Sequence, residues 1–353
     1  MDLSIAAILL QDGITNGAIY ALLALALVLV FSVTRVILIP QGEFVSYGAL
    51  TLAALQTQQL PGTCWLLVAL GIACLLVEGT RVLRVASTRR YAWRTLPALA
   101  SRYVLLPVAI LGVTQALMQR GTPLPLVLQV ALALLIVAPM GPFVYRLAFE
   151  PLAEASTLLL LIVSVGVHFA LVGLGLLMFG AEGSRTTAFS DASVSLGSLT
   201  ISGQSLWVIG SSVVLIGALY VYFDRSLSGK ALRATAVNRL GARLVGIGTA
   251  QAGRLAFTLA ALLGAWCGVL VAPLTTIYYD SGFLMGLKGF VGAIIGGLGS
   301  YPVAAAGAVL VGLLESYASF WASAYKEVIV FTLIIPVLLW RSLANPALDE
   351  GEA

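Results

Sequence analysis

Apolar runs of about 20 residues recur along nearly the whole chain, and no other feature constrains its fold more. A helix of that length spans about 30 Å, the thickness of a bilayer's hydrocarbon core. No water reaches the backbone in that core, so a crossing segment must satisfy its own N–H and C=O groups. Runs this long do so as helices. Only 10% of the 353 residues are charged, against about a quarter in a soluble domain. The sequence therefore specifies an all-α polytopic membrane protein with about ten transmembrane or re-entrant helices. Its 36 glycines suit close helix packing in lipid.

The spans read as 3–34, a stretch reaching about Gln56, 64–80, 103–119, 124–145, 157–179, 206–223, 255–279, 303–321 and 327–340. A shorter, glycine-broken segment at 281–300 brings the count to ten or eleven and reads as a re-entrant or half-helix element. The first run has no basic n-region and no small-residue cleavage site, so it reads as a span.

Charge gives the topology. The loop 81–102 holds Arg81, Arg84, Arg89, Arg90, Arg94 and Arg102 with no acid between them. The loop 224–254 holds Arg225, Lys230, Arg233, Arg239, Arg243 and Arg254 against Asp224 alone. One crossing count puts both loops, and the short turn 145–154, on the same side, which the positive-inside rule makes cytoplasmic. The Ser-, Thr- and Gly-rich loop 180–205, with Glu182, Arg185 and Asp191, falls outside. The acidic tail with Asp349, Glu350 and Glu352 fits a cytoplasmic C-terminus, and the side of the N-terminus stays open. The net charge of +4 is explained by topology, so no nucleic-acid partner is implied.

Within 224–254, Val237, Leu240, Leu244 and Ile247 recur at helical spacing, with Arg239 and Arg243 on another face. This predicts a short amphipathic helix that cannot cross a bilayer and must dock, on a protein partner or on the lipid surface.

Candidate pathway residues are the polar ones inside spans. Asn16 and Tyr20 share a face with Gly13 and Gly17, as packing glue or as pathway lining. Pro40, Gln41, Gly42 and Glu43 break an apolar stretch beside a carboxylate, as a discontinuous transport helix or as an interfacial turn with Glu43 in water. Glu43, Lys288 and Glu315 are intramembrane charges, which mark function because each is expensive in lipid. Lys288 is also placed to pair with Asp280. Gly296, Gly297 and Gly299 interrupt the chain before Pro302. The single histidine, His168, is mid-span and is expected to bond within the bundle. Gly42–Ala49 and Gly289–Ala293 are weakly alike, a hint of two related broken helices.

Lone His168, with Cys64, Cys74 and Cys267 each in apolar sequence, offers no metal cluster and no disulfide framework. No cofactor is expected. There is no Walker loop, no Gly-rich fingerprint after a strand and no Ser-His-Asp order. If the chain works uphill, energy comes from an ion gradient or from a partner.

Several pieces together resemble the permease subunits of branched-chain amino acid ABC importers, of the H-type kind. They are Asn16-Gly-Ala-Ile-Tyr20-Ala-Leu, Leu232-Arg233-Ala234 with Asn238, Ala242, Gly246-Ile247 and Arg254, and Gly286-Leu-Lys288. Further on come Gly296-Gly-Leu-Gly-Ser300 with Pro302, Gly312 through Glu315, and Tyr325-Lys326-Glu327. The resemblance implies a multi-pass protein of a bacterial inner membrane, with a second permease subunit, two ABC ATPase subunits and a periplasmic substrate-binding protein. It makes the helix in 224–254 a coupling helix, with Arg233, Asn238, Ala242, Gly246 and Ile247 in the ATPase contact. The family's Asn-x-Ala-His-Gly-Glu run reads Ile37-Leu-Ile-Pro40-Gln41-Gly42-Glu43 here, and the basic loop 81–102 is longer than usual. The substrate stays open between a branched-chain or other amino acid, urea or an amide, an organic acid and a sugar. An ion-coupled secondary transporter is the alternative from another class, and a membrane-embedded enzyme is disfavoured because no polar cluster could do chemistry.

Overall fold

The computed structural model describes residues 3–85, 97–119, 121, 123–196 and 199–344. Among these, nine helices are long and apolar enough to cross a membrane. They are α1 (Leu3–Thr34), α3 (Gly62–Val85), α4 (Pro97–Met118), α5 (Leu126–Leu152), α6 (Thr157–Phe179), α7 (Gly203–Arg225), α10 (Thr249–Val271), α12 (Tyr301–Trp321) and α13 (Ser323–Trp340). Two more lie among them. They are α2 (Gln41–Gln56) and α11 (Ser281–Ile295), with 16 and 15 residues. At about 1.5 Å per residue neither reaches across a core of about 30 Å.

The centre is built from α1, α2, α10, α11 and α12. Helices α1 and α12 run antiparallel. Ser316 Oγ donates to Leu9 O at 2.7 Å, and the hydroxyls of Ser32 and Tyr301 lie 3.5 Å apart at the far end of the pair. A Cβ on Gly13 or Gly17 would stand 2.8 Å from the Cα of Leu313 or Val309, so small residues set this spacing. Every residue of α2 from Gln41 to Ala53 is buried, with α10 along its length. The Gln41 amide donates to Ala260 O at 3.0 Å, halfway along α10. The chain thus folds back from the end of α1 and begins α2 inside the bundle, and α2 then runs on beside the second half of α10. Helix α11 starts at the same level and runs the opposite way, ending beside Ala304 near the start of α12.

The first turns of the two half-length helices cross. Gly282 N donates to Ser46 Oγ at 2.8 Å. A Cβ on Gly282 would collide with the Gly42 carbonyl, one on Gly42 with the Gly282 carbonyl, and one on Gly286 would stand 3.0 Å from Gly42 N. Around this centre, α6, α7 and α13 expose large apolar side chains, among them Ile162, Phe169, Trp207, Val214 and Trp340. In water that surface would be a liability, but in a bilayer it faces a solvent of its own kind.

One end of the molecule gathers the basic residues. Arg254 pairs with Glu150 (3.0 Å), and Arg146 bridges Glu150 and Glu78. Arg243 Nη1 meets Glu154 at 2.8 Å, and Arg239 Nη1 donates to Ala153 O at 2.8 Å. The turn 145–154 and the loop 224–254, which the crossing count puts on one side, are in direct contact. At the other end Thr187 N donates to Gln56 Oε1 (3.0 Å), and Ser184 pairs with Ile277. A hairpin not expected from the sequence, Ser193–Leu196 with Leu199–Ser202, also lies in this 180–205 region.

The stretch 224–254 differs from the single helix expected of it. It holds two helices, α8 (Leu227–Val237) and α9 (Arg239–Leu244), and from Thr249 it belongs to α10. Asn238 is the reason. Its backbone is extended and its side chain accepts from Gly241 N at 2.8 Å, capping a new helix. Of the basic loop 81–102, residues 81–85 extend α3 and 97–102 belong to α4, while 86–96 lie outside the described residues.

The crossing gives a first prediction. Gly282→Ala should lower the apparent thermal midpoint of the purified protein in detergent, with a loss of ~1–3 kcal/mol from overpacking. Gly166→Ala, on α6 with nothing within 4 Å of the added carbon, should leave it unchanged or raise it slightly, because alanine favours the helix over glycine. Equal midpoints for the two variants would contradict the crossing.

Candidate functional site: two buried charge clusters and an exposed apolar strip

The first cluster forms where the chain enters α2. Thr34 ends α1, Ile39 N donates to Ser164 Oγ of α6 at 2.9 Å, and Pro40 precedes the helix. Glu43 lies in the first turn of α2, where the helix dipole favours a carboxylate. Its side chain is fully buried and hydrogen-bonds His168 Nδ1 on α6. The imidazole stacks on Phe283 of α11, with centroids 4.5 Å apart. One carboxylate thus fastens α2 to α6 beside α11. His168 bonds within the bundle, as expected of it. Glu43 does not sit in water at an interfacial turn, because residues 35–40 fold back into the protein and carry the helix break inside. Gln41 Oε1 and Glu43 Oε2 are buried without a protein partner.

Above that pair the α2–α6 seam is closed by Tyr47, which sequence reasoning passed over inside an apolar run. Its hydroxyl donates to Leu171 O at 2.6 Å, and its ring lies 6.1 Å from that of Phe179. A fully buried tyrosine whose hydroxyl finds a carbonyl on another helix fixes the two helices together.

The second cluster joins α11 to α1, α12 and α13. Lys288 Nζ meets Glu315 Oε1 at 2.6 Å and Glu327 Oε1 at 3.1 Å. Tyr20 Oη donates to Glu315 Oε2 at 2.6 Å, and Lys288 Nζ lies 5.9 Å from the Tyr20 ring centroid. Tyr20, Lys288 and Glu315, singled out separately from the sequence, are one network. The expected pairing of Lys288 with Asp280 does not form: Asp280 precedes α11, two turns away, and Lys288 turns to α12 instead. Asn16 stays half-buried one turn before Tyr20. Gly296, Gly297 and Gly299 lie in the tight connection from α11 to α12. Gly297 has φ +65° there, and a Cβ on Gly296 would press on Ala304.

The third feature is a surface. Val237, Leu240 and Leu244 are 88%, 68% and 81% exposed at the basic end, with Val245 beside them. They are large apolar side chains on a helical unit that does not span. The other residues named with them face elsewhere. Ala242 is buried, Ile247 is half-buried, Gly246 ends α9 with φ +86°, and Asn238 is the cap. Arg233 is exposed and 3.7 Å from Asp224. Of the stripe Val237, Leu240, Leu244 and Ile247 that the spacing suggested, only Ile247 turns inward, past the end of α9, and the exposed Val245 stands with the other three. Arg243 holds the Glu154 carboxyl below its ordinary range. That tie is therefore present at neutral pH and is lost as pH falls through the depressed value.

Spanning helices closed around two half-length helices, with buried charges fastening each of them, define a polytopic helical permease. The chain belongs to the family described as branched-chain amino acid transport system permease components, whose sequence profile matches residues 99–338. It is 26% identical over 341 residues to the high-affinity branched-chain amino acid transport system permease protein LivH of Escherichia coli, covering 93% of this chain and 91% of that one. It is 29% identical over 256 residues to the permease protein BraD of Pseudomonas aeruginosa, 69% of this chain and 83% of that one. With LivH of Salmonella typhimurium it shares 31% over 220 residues, 59% and 70% of the two chains. No solved structure matches the chain.

The second cluster yields a direct test. Lys288→Met leaves Glu315 buried without its cation and should destabilise the purified protein by ~3–5 kcal/mol. Adding Glu315→Gln should recover part of that loss. If the double variant is less stable than Lys288→Met alone, the pairing is not what holds α11 to α12.

Proposed function

We propose that this chain is the permease subunit of a binding-protein-dependent importer that carries branched-chain amino acids across the inner membrane. Its partners would be a second permease subunit, two ATPase subunits and a periplasmic binding protein. The family membership and the names of the relatives support the transport class and the substrate. In this reading the basic end is cytoplasmic by the positive-inside rule, the hairpin end is external, and α1 begins outside. The substrate passes along the α2–α6 seam, past Tyr47 and the Glu43–His168 pair. The Lys288–Glu315–Tyr20 network fastens α11, so that it moves with α1 and α12 as one body. The chain draws its energy from ATP hydrolysed on the partner subunits.

One observation carries the coupling. Val237, Leu240 and Leu244 stand exposed on two short helices, α8 and α9, that are braced to the bundle through Arg239 and Arg243. A helix lying in the lipid surface would need no such brace to the turn 145–154. A strip that transmits force does need it.

Reconstituted with its partners, the complex should take up L-leucine only with ATP and the binding protein present, and an ionophore should not abolish the uptake. Uptake by this chain alone, collapsed by an ionophore, would overturn the reading in favour of a secondary transporter. Leu240→Asp and Leu244→Asp should each prevent co-purification of the ATPase subunits while membrane insertion stays normal. Unchanged assembly in both variants would place the docking surface elsewhere.

A further inference from the structure

The seam between α2 and α6 opens at one end. Glu43, Tyr47, Leu50 and Ala54 follow at helical spacing along α2 and so share a face. From the Glu43–His168 pair the seam passes the Tyr47–Leu171 hydrogen bond and the packing of the Tyr47 ring against Gly175. One turn further, at Leu50, the helices part around a cavity of about 430 Å³. This is within the usual range of about 300–1,000 Å³ for small-molecule sites. Leu50, Met178 and Phe179 give it an apolar wall, while Thr57, Glu182 and Arg185 line it with polar and charged groups of both signs.

Arg185 is held in place. Its Nε donates to Pro273 O at 3.1 Å and its Nη2 to Leu274 O at 3.3 Å. A guanidinium carries five N–H donors, so the remaining ones can meet a ligand's carboxylate bearing on the cavity. A neutral sugar brings no charge to pair with either group, and a simple anion or cation would pair with only one.

We propose that this cavity is the loading site for a small zwitterion with an apolar side chain. Its ammonium lies at Glu182, its carboxylate at Arg185 and its hydrocarbon against Leu50, Met178 and Phe179. The proposal deepens the import function above and rests on it. A molecule held here stands one closed contact, Tyr47, short of the buried Glu43–His168 pair. The site therefore receives substrate at the outer mouth of the route.

The test uses Thr57→Cys in the full complex with its binding protein, in right-side-out membrane vesicles. Cys64, Cys74 and Cys267 are buried, so a charged, impermeant thiol reagent reads the introduced thiol. L-leucine at about ten times its Kd should slow labelling at position 57 about tenfold, and should leave labelling of a Ser193→Cys control in the exposed hairpin unchanged. Adding Glu182→Gln or Arg185→Gln should remove most of the protection, read as the ratio of the rates without and with leucine in the same variant. A complex that transports leucine but labels equally with and without it overturns the site alone. Protection that survives both charge substitutions overturns the zwitterion contacts. A complex that takes up no branched-chain amino acid overturns the import function, and this ligand with it.

Discussion

A backbone inside a membrane must find all its hydrogen-bond partners within the protein, and the two half-length helices make that demand hardest to meet. Both α2 and α11 begin inside the bundle, so the N–H groups of their first turns have to be met there: Gln41 N and Glu43 N donate to Leu38 O and Pro40 O, and Ser281 N and Phe283 N to Tyr278 O and Asp280 O. The structure answers by crossing those first turns at Gly42, Gly282 and Gly286, where the missing side chains let one backbone lie on another and Ser46 accept from Gly282 N. Such a crossing has to be enclosed. α1, α10 and α12 enclose it, and the outer helices can then present leucine, valine and phenylalanine to lipid. Irregular backbone at membrane depth is tolerated only in such surroundings.

Two buried clusters fasten the half-length helices to different neighbours. Glu43 ties α2 to α6 through His168, and Lys288 ties α11 to α12 and α13 through Glu315 and Glu327. Buried polar pairs of this kind add little net stability but cost much when one partner is lost. They therefore favour whole-element motion over local melting. In a permease this is the useful property. If the strip is where force enters, a push on α9 reaches Ala153 and Glu154 through Arg239 and Arg243, and so the turn that joins α5 to α6.

Much of this was legible in the sequence, for definite reasons. Hydropathy located the nine long spans because a lipid-facing or buried helix must be apolar throughout, and Pro40 with Gly42 marked the break before α2. Tyr20, Lys288 and Glu315 stood out singly as polar groups in apolar runs. That they meet was not visible, since one sequence carries no record of which residues 27 or 295 positions apart become neighbours. Tyr47 was hidden because an aromatic in an apolar run reads as packing until its hydroxyl is seen on Leu171 O. The division of α8 from α9 was present in the residues: Asn238 followed by Arg239-Leu-Gly241 is a cap signal. A count of apolar spacing alone runs straight through it.

Force entering at the strip of Val237, Leu240 and Leu244, and a route opening along the α2–α6 seam, are the two ends of one account. An electron cryo-microscopy comparison of the full complex in lipid nanodiscs, with and without a non-hydrolysable ATP analogue, tests both ends at once. The account predicts ATPase density over the strip in both states. It predicts that Tyr47 separates from Leu171 in one of them, while Lys288 stays with Glu315. Lipid headgroups over the strip, or a seam that stays closed while the bundle opens between other helices, would contradict it.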